Sequence, residues 1–397
     1  MIAVIADDLT GAAELGGIGL RHGLSVEINM EVPASTRADL LVIAANTRSM
    51  QEKEAVQEME NSTRLLILLQ PEWIYKKVDS VLRGHVVAEL AAHLDVLGLD
   101  KALLAPANPA LGRTIKNGYY FLNDRPVHES SFGSDPEFAI TSSRVEDMLR
   151  LPVQVRRPGE ELPDKGIIVG EVQSKEDLDA WAKVAGQTGK SFASQAGKSF
   201  ADQAGKSFAG QVGKPLFLAG AAGFFAAILQ ERISPGKRKN TTAPQGYPIL
   251  LVSGTTFGRN RDLLHEIHAA GGPVYYANED NSCEAIVNHL LDQGLAIIAA
   301  GEEVVGEPLE AARRMRDRMA ELVSQVLMEV AVEELVIEGG ATAHAILTWA
   351  GLRTFFPEEE LAPGVIRMRA GEGSPLHLTV KPGSYDWPER LRQRLEN

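Results

Sequence analysis

The sequence predicts an α/β protein of two domains, each a mainly parallel sheet flanked by helices, with an active-site cleft between them. Three observations predict this. Short runs of small and β-branched apolar residues recur along the chain, and helical patterns separate them, the signature of parallel strands covered by helices. The chain has 397 residues, more than one hydrophobic core usually serves. A proline-rich, basic stretch at residues 234–248 (SPGKRKNTTAPQGYP) interrupts the apolar pattern, as linkers do. The expected division is therefore 1–235, a linker at 236–248, and 249–397.

Composition narrows the function classes. Apolar residues make up 44% and charged residues 23%, ordinary for a soluble globular protein. The net charge of -13 argues against nucleic acid and anionic membranes, which need a positive surface. Small anions stay open, because local Lys, Arg or a metal ion overrides the global sign. The one cysteine, Cys283, excludes an intrachain disulfide and fits a reducing compartment. Acids follow the first six residues without a basic flank, so no signal peptide is read there. The uncharged run at 215–230 is too short and glycine-rich for a membrane span. A cytoplasmic protein is expected.

In chain order, residues 2–6 (IAVIA) read as a buried parallel strand, followed by Asp7, Asp8 and an Ala/Gly-rich helix through Leu24. Strands follow at 40–45, ending in Asn46-Thr47-Arg48-Ser49, at 73–78, at 102–106 and at 166–170. Residues 186–213 repeat Gly-Lys-Ser-Phe-Ala-x-Gln-x three times. An eight-residue period is too short for a solenoid. A phosphate loop needs glycine five positions before each Gly-Lys, where Val184, Phe192 and Phe200 stand. A duplicated surface loop or extended helix is the reading. In the second half, 249–252 ends at Ser253-Gly254-Thr255-Thr256 with a helix from about Asn260. Residues 295–300 form a strand, 310–330 a long amphipathic helix, and 335–338 a strand ending at Gly339-Gly340-Ala341-Thr342. The stretch 376–380 is a strand ending at Lys381-Pro382-Gly383-Ser384-Tyr385.

Ligands of open α/β sheets bind at the carboxyl ends of strands. Asp7 and Asp8 stand there, able to hold a cation or take a proton from a hydroxyl. Asp79 and Arg83, four apart, would meet on one face of a helical turn. With Arg113, which could grip a carboxylate through two hydrogen bonds, they form a polar pocket of both charge signs. Such a pocket suits a polyhydroxy acid. The two glycine turns of the second half each open a helix, and free N–H groups with the helix dipole make such turns anion sites. Ser253, Thr255 and Thr342 add hydroxyls, and Lys381 a point charge for a phosphate. The plain alternatives are solvated turns and local ion pairs.

These residues carry a resemblance. Asp7-Asp8-Leu9-Thr10-Gly11 resembles the D-D-x-T-G signature of the four-carbon acid sugar kinases. Lys77-Val78-Asp79-Ser80-Val81-Leu82-Arg83-Gly84 is similar to that family's K-x-D-S-T-x-R-G. Residues 106–118 (PANPALGRTIKNG) resemble its P-x-x-P-x-x-G-R-x-x-x-x-G stretch, and 215–226 its strand plus G-x-A-G turn. Ser253-Gly254, Gly339-Gly340-x-Thr342 and Lys381-x-Gly383 match in order. The sequence departs from the family at Val81, where Thr is usual, at Ala341, where an acid is common, and at residues 381–385, which replace a K-S-G-N-F-like ending.

The resemblance implies a sugar-binding N-terminal and a nucleotide-binding C-terminal domain. It implies an ATP-dependent kinase of threonate, erythronate or oxo-tetronate, acting at the C4 hydroxyl with Mg2+. Asp8, Asp79 and Arg83 would then be catalytic: Asp8 or Asp79 as base, Arg83 or Lys381 offsetting phosphoryl charge. Asp7, Thr10, Lys77, Ser80 and Arg113 would bind the acid. Ser253, Gly254, Gly339, Gly340, Ala341, Thr342, Lys381 and Gly383 would bind the nucleotide. No metal ligand is assigned. Expected partners are the sugar acid and ATP, with no nucleic acid or membrane; a homodimer is left open. Two other readings stay: a sugar-acid binding protein or sensor that has lost catalysis, and a metal-dependent epimerase or lyase. His265 and His268, three apart, lack zinc-site spacing and read as a surface helix face.

Overall fold

The apolar runs read from the sequence become strands whose residues are buried on both faces, as parallel strands between helix layers must be. The computed structural model describes residues 1–135, 138–187, 216–233, 246–254, 258–279, 283–301, 308–383 and 385–395. The octapeptide repeat and most of the linker lie outside the described residues, as do Thr255, Thr256 and Ser384. The chain divides into two compact units, Met1–Asp7 with Arg21–Arg238, and Asp8–Leu20 with Lys239–Asn397. The segment Asp8–Leu20 is thus close in sequence to the first unit and packed with the second.

The first unit is built on β1 (Ile2–Ala6), β2 (Val26–Asn29), β3 (Leu40–Ala44), β4 (Trp73–Lys77) and β5 (Lys101–Ala105). A separate antiparallel sheet of β6 (Arg113–Lys116), β7 (Tyr119–Leu122) and β8 (Arg125–Pro126) follows, then β9 (Gln154–Arg156), β10 (Gly166–Gly170) and β11 (Phe217–Gly220). The main sheet runs β2-β3-β1-β4-β11-β5-β10-β9, every pair parallel. Its carboxyl ends therefore share one rim. There Tyr75 Oη donates to Ala221 O at 3.0 Å, tying β4 to the G-x-A-G turn after β11. Trp73, Tyr75, Phe224 and Phe225 stack behind it with ring centroids 5.1 to 6.4 Å apart.

Helix α1 (Leu9–Arg21) packs in the second unit, where Gly17 lies against Ile366. The first unit carries α2 (Glu52–Leu68), α3 (Val86–Leu97), α4 (Val145–Leu149), α5 (Lys175–Gln187) and α6 (Ala222–Arg232). The second unit adds β12 (Ile249–Ser253), α7 (Gly258–Ala269), β13 (Val274–Tyr276), α8 (Cys283–Gln293), β14 (Leu295–Ala299) and α9 (Pro308–Glu329). It continues with β15 (Glu334–Glu338), α10 (Gly340–Trp349), β16 (Thr354–Ala362), β17 (Val365–Ala370), β18 (His377–Lys381) and α11 (Glu389–Leu395). The strand order is β13-β14-β12-β15-β18-β17-β16, parallel from β13 to β18 and antiparallel beyond. Trp387 joins the buried cluster that holds Ile249, Leu251 and Leu264. Among the described residues no helix is long and apolar enough to cross a membrane.

Buried charge pairs sit inside the second unit, among them Arg367 with Glu334. Arg367 on β17 donates from Nε to both Glu334 oxygens at 2.7 and 3.0 Å, with Arg367 1% and Glu334 0% exposed. Removing one partner strands the other in low dielectric. Arg367→Met is expected to lower unfolding free energy by about 3–5 kcal/mol in urea titrations, and Arg367→Met/Glu334→Leu to recover most of it. A single variant as stable as the parent would contradict this.

Candidate active site

The first unit gathers a ring of charges at its rim. Arg48, which the end of β3 delivers through the left-handed Asn46 (φ 52°), grips Asp7 Oδ2 with Nε and Nη2, both at 2.8 Å. The same guanidinium stands 3.7 Å from Asp79 Oδ1. Asp79 leaves the end of β4 and takes Arg83 Nη2 at 2.8 Å and Arg83 Nε at 2.9 Å. Its Oδ2 also accepts the backbone N–H of Val81 and Arg83, each at 3.2 Å. The expected pairing of Asp79 with Arg83 is present. It closes across a turn in which Leu82 is left-handed (φ 64°), not across a helical turn.

Burial alone would raise the Asp79 pKa, but Arg83, Arg48 and Lys77 outweigh it and hold the carboxyl well below its ordinary range. Burial likewise works against the charge of Arg83, and Asp79 with Asp135 restores it. Arg83 Nη1 donates to Asp135 Oδ2 at 2.9 Å, and the guanidinium lies 5.2 Å from the Phe132 ring centre.

Arg113 opens β6 and is held beside this cluster. Its Nη1 donates to Ser80 Oγ, and its guanidinium shares the Phe132 face at 5.5 Å. Arg113 is 9% exposed, pairs with no carboxylate among the described residues, and its Nε has no acceptor. Asp7 Oδ1 is also buried and accepts no hydrogen bond. Tyr120 Oη donates to Ser80 O, and burial pushes its pKa above the ordinary phenol value, so it stays a donor. Lys77 is buried and donates to Val78 O at 3.0 Å.

The second unit gathers the other motifs. Asp8 caps α1: its Oδ1 accepts Gly11 N–H at 2.8 Å and its Oδ2 accepts Thr10 Oγ1 at 2.7 Å. This carboxylate lies against the double-glycine turn. A Cβ placed on Gly340 would stand 2.8 Å from Asp8 Oδ2 and 3.1 Å from Thr10 Oγ1. Gly339, with φ 102°, is the residue before α10 and offers no side-chain cap, so the first N–H groups of that helix are left to a ligand or water. Thr342 is buried and lies against Gly254, where a Cβ would fall 2.0 Å from Thr342 Oγ1. Ala341 follows in the first turn of α10.

One carboxylate ties these turns together. Glu338, 0% exposed, accepts Lys381 Nζ at 2.6 Å, Ser253 Oγ at 2.7 Å, and Asn260 Nδ2. Lys381 Nζ also donates to Pro382 O at 2.9 Å and to Tyr385 O, and lies 5.0 Å from the Trp387 ring centre. Asn260 reaches Gly383 O at 3.5 Å. Burial moves the Glu338 carboxyl up and the Lys381 ammonium down, toward a less ionised pair. The donors of Lys381 thus serve Glu338 and two carbonyls that follow β18. Arg83 is likewise engaged by Asp79 and Asp135.

Sequence reasoning passed over Arg48, Asp135, Phe132, Tyr120, Glu338, Asn260 and Tyr385. The available signal was position: Arg48 and Glu338 each stand at the carboxyl end of a parallel strand. His265 and His268 meet Tyr276 Oη at 3.0 Å and Val274 O at 3.1 Å. Among the described residues no group of three or more His, Cys, Asp or Glu could hold a metal ion.

A charged rim in the first unit and a helix-opening glycine turn in the second are features that small-molecule kinases use, and comparison with known proteins identifies that class. Residues 2–228 match the family model of a sugar-binding N-terminal domain, and residues 275–385 that of a nucleotide-binding C-terminal domain. The D-threonate kinase of Salmonella typhimurium is 25% identical, over 91% of this chain and 89% of that one. The 3-oxo-tetronate kinase of Actinobacillus succinogenes is 26% identical, over 97% and 96%. A solved Haemophilus influenzae structure of family model DUF1537 shares the fold with TM-score 0.65 at 20% identity, covering 98% of this chain and 97% of that one. The chain belongs to the four-carbon acid sugar kinase family.

The Asp79 cluster makes a pH prediction. A carboxyl whose pKa is depressed on folding contributes stability above its unfolded pKa, near 3.8, and loses it as pH falls through the folded value. Asp79→Asn is expected to be about 3 kcal/mol less stable at pH 7. The gap in urea midpoint should narrow as pH drops below 3.8. A gap that stays constant with pH would contradict the ionised clamp.

Proposed function

We propose that this kinase transfers the γ-phosphoryl group of ATP to the terminal C4 hydroxyl of threonate, erythronate or an oxo-tetronate. The observation that carries this reading is the approach of the Asp8 carboxylate to Gly340 in the turn that opens α10. A proton acceptor and a phosphate-type helix start thereby meet within one compact unit.

The hydroxyl oxygen attacks the γ-phosphorus, the bond to the β–γ bridging oxygen breaks, and ADP leaves with that electron pair. The proton passes to Asp8. Asp79 is the weaker choice for base, because Arg83, Arg48 and Lys77 keep it ionised and poorly basic. The acid sugar's carboxylate goes to Arg113, whose Nε lacks an acceptor, and a sugar hydroxyl donates to Asp7 Oδ1, which lacks a donor. These two unmet groups of opposite need match a molecule bearing both carboxylate and hydroxyl. Arg48 and Arg83 are positioning residues that hold Asp7 and Asp79.

The glycines fit ATP. Gly254 and Gly340 stand where side chains would collide with Thr342 and Asp8, and the uncapped α10 N-terminus presents N–H groups to phosphate oxygens. Mg2+ takes one or two carboxylates plus phosphate oxygens and several waters, so it needs no dense ligand cluster; bound with ATP, it neutralises phosphate charge. Phosphoryl transfer then rests on positioning and charge neutralisation.

The test is ADP release on mixing the protein with ATP, Mg2+ and a panel of D- and L-tetronates, with the product read by phosphorus–proton coupling. ADP appearing only with a tetronate, and coupling to the C4 methylene, is expected. Sugar-acid binding without ADP points to the sensor reading. Turnover of the acid without ATP points to the epimerase or lyase reading.

A further inference from the structure

A second polar cavity of ≈ 560 Å³ lies in the first unit, lined by Asn117, Gly118, Arg144, Arg156, Arg157 and Glu171 among others. Buried Glu171 forms its floor, and exposed side chains form much of its wall. Asn117 (φ 51°) and Gly118 (φ 77°) form the two-residue left-handed turn between β6 and β7. Arg113 opens the same hairpin, and its tip lies roughly 10 Å further along β6, so the cavity is separate from the Asp79–Arg113 cluster. The far walls are the carboxyl ends of β9 and β10, with Arg156 and Glu171 at or just past them. Strand ends of parallel sheets are where ligands dock.

The cavity holds one buried oxygen without a hydrogen bond and one guanidinium without a carboxylate partner among the described residues. Glu171 is 4% exposed; its Oε1 accepts Gly118 N–H at 2.7 Å. Its Oε2 lies 3.4 Å from Arg157 Nε, an ion-pair distance, and accepts no hydrogen bond. A buried carboxylate oxygen without a donor is costly and calls for a partner. Arg156 spends Nη1 on Val155 O at 2.8 Å and Nη2 on Gln154 Oε1 at 3.1 Å, and pairs with no carboxylate among the described residues. Of its neighbours, Arg144 pairs with Glu146, and Arg157 Nη2 donates to Asn117 Oδ1 at 2.7 Å. Glu160 takes the backbone N–H of Arg157 at 2.8 Å.

We propose that this cavity is a second ligand site, for a small hydroxylated anion. Its carboxylate or phosphate sits on Arg156, and a hydroxyl donates to Glu171 Oε2. No bond is made or broken there. The site is independent of the phosphoryl-transfer reading, and the kinase reading stands or falls without it.

Calorimetric titration of the full chain with two probes tests it. D-Threonate supplies a carboxylate with hydroxyls, and glycerol 3-phosphate supplies a phosphate with hydroxyls. The parent protein is expected to bind one equivalent more of at least one probe than Arg156→Ala does, or to bind it about tenfold tighter, the scale of a lost charge-assisted hydrogen bond. Arg144→Ala, altering an exposed wall residue, is expected to weaken the same binding, and Glu171→Gln to do so without moving the melting temperature upward. Which probe responds distinguishes a carboxylate from a phosphate ligand. Identical isotherms for the parent and all three variants, with both probes, would overturn the proposal.

Discussion

Two successive carboxylates cannot be buried together unless each is given its own partners, and Asp7 and Asp8 meet that demand in opposite ways. Asp7 is 3% exposed and Asp8 8%. Unpaired, either buried charge would be costly. Asp7 ends the first unit's opening segment and is held by the Arg48 guanidinium. Asp8 begins the second unit's segment and is satisfied locally, by the N–H of Gly11 and the hydroxyl of Thr10 at the start of α1. The signature Asp-Asp-x-Thr-Gly is thus a charge-distribution device. Thr10 and Gly11 serve Asp8, and the divergence of successive residues at a strand end sends Asp7 elsewhere.

Glu338 plays the corresponding part in the second unit. Donors 85, 78 and 43 residues from it in sequence meet at its two oxygens: Ser253, Asn260 and Lys381. A charge so deeply buried needs several donors, and the donors it recruits are the residues that shape the glycine turns. The conformations at Gly254, Gly339 and the 381–385 loop therefore share one support. The same arrangement encloses Lys381: its ammonium balances Glu338 and fastens two loop carbonyls.

Much of this was legible in the chain. The strands at 2–6, 40–44, 249–253 and 334–338 announce themselves because parallel strands buried on both faces are continuous apolar runs. The antiparallel pair β16 and β17 escaped notice because Pro357 and Glu358-Glu359-Glu360 contradict a strand; Arg369 on β17, 3.4 Å from Glu358, compensates its charge, and His377 lies 3.2 Å from it. The hairpin at Asn117-Gly118 carried a turn signal that was absorbed into a motif. The charged ring was half legible. Asp79 with Arg83 follows from local spacing, whereas the link from Arg48 to Asp7 and Asp79 spans 41 and 31 residues and depends on β1 lying between β3 and β4. Sequence order also hid that α1 belongs with the second unit.

The central claim is that Asp8 accepts the proton of the attacking hydroxyl at the turn that opens α10. Steady-state turnover and ATP affinity of Asp8→Asn, measured on the same preparation, test it most directly. The asparagine keeps a cap for α1 and the contact with Gly340, so ATP should bind within about twofold, while kcat falls by about 10²–10⁴. Turnover retained within a few-fold of the parent, with ATP affinity unchanged, would contradict the assignment.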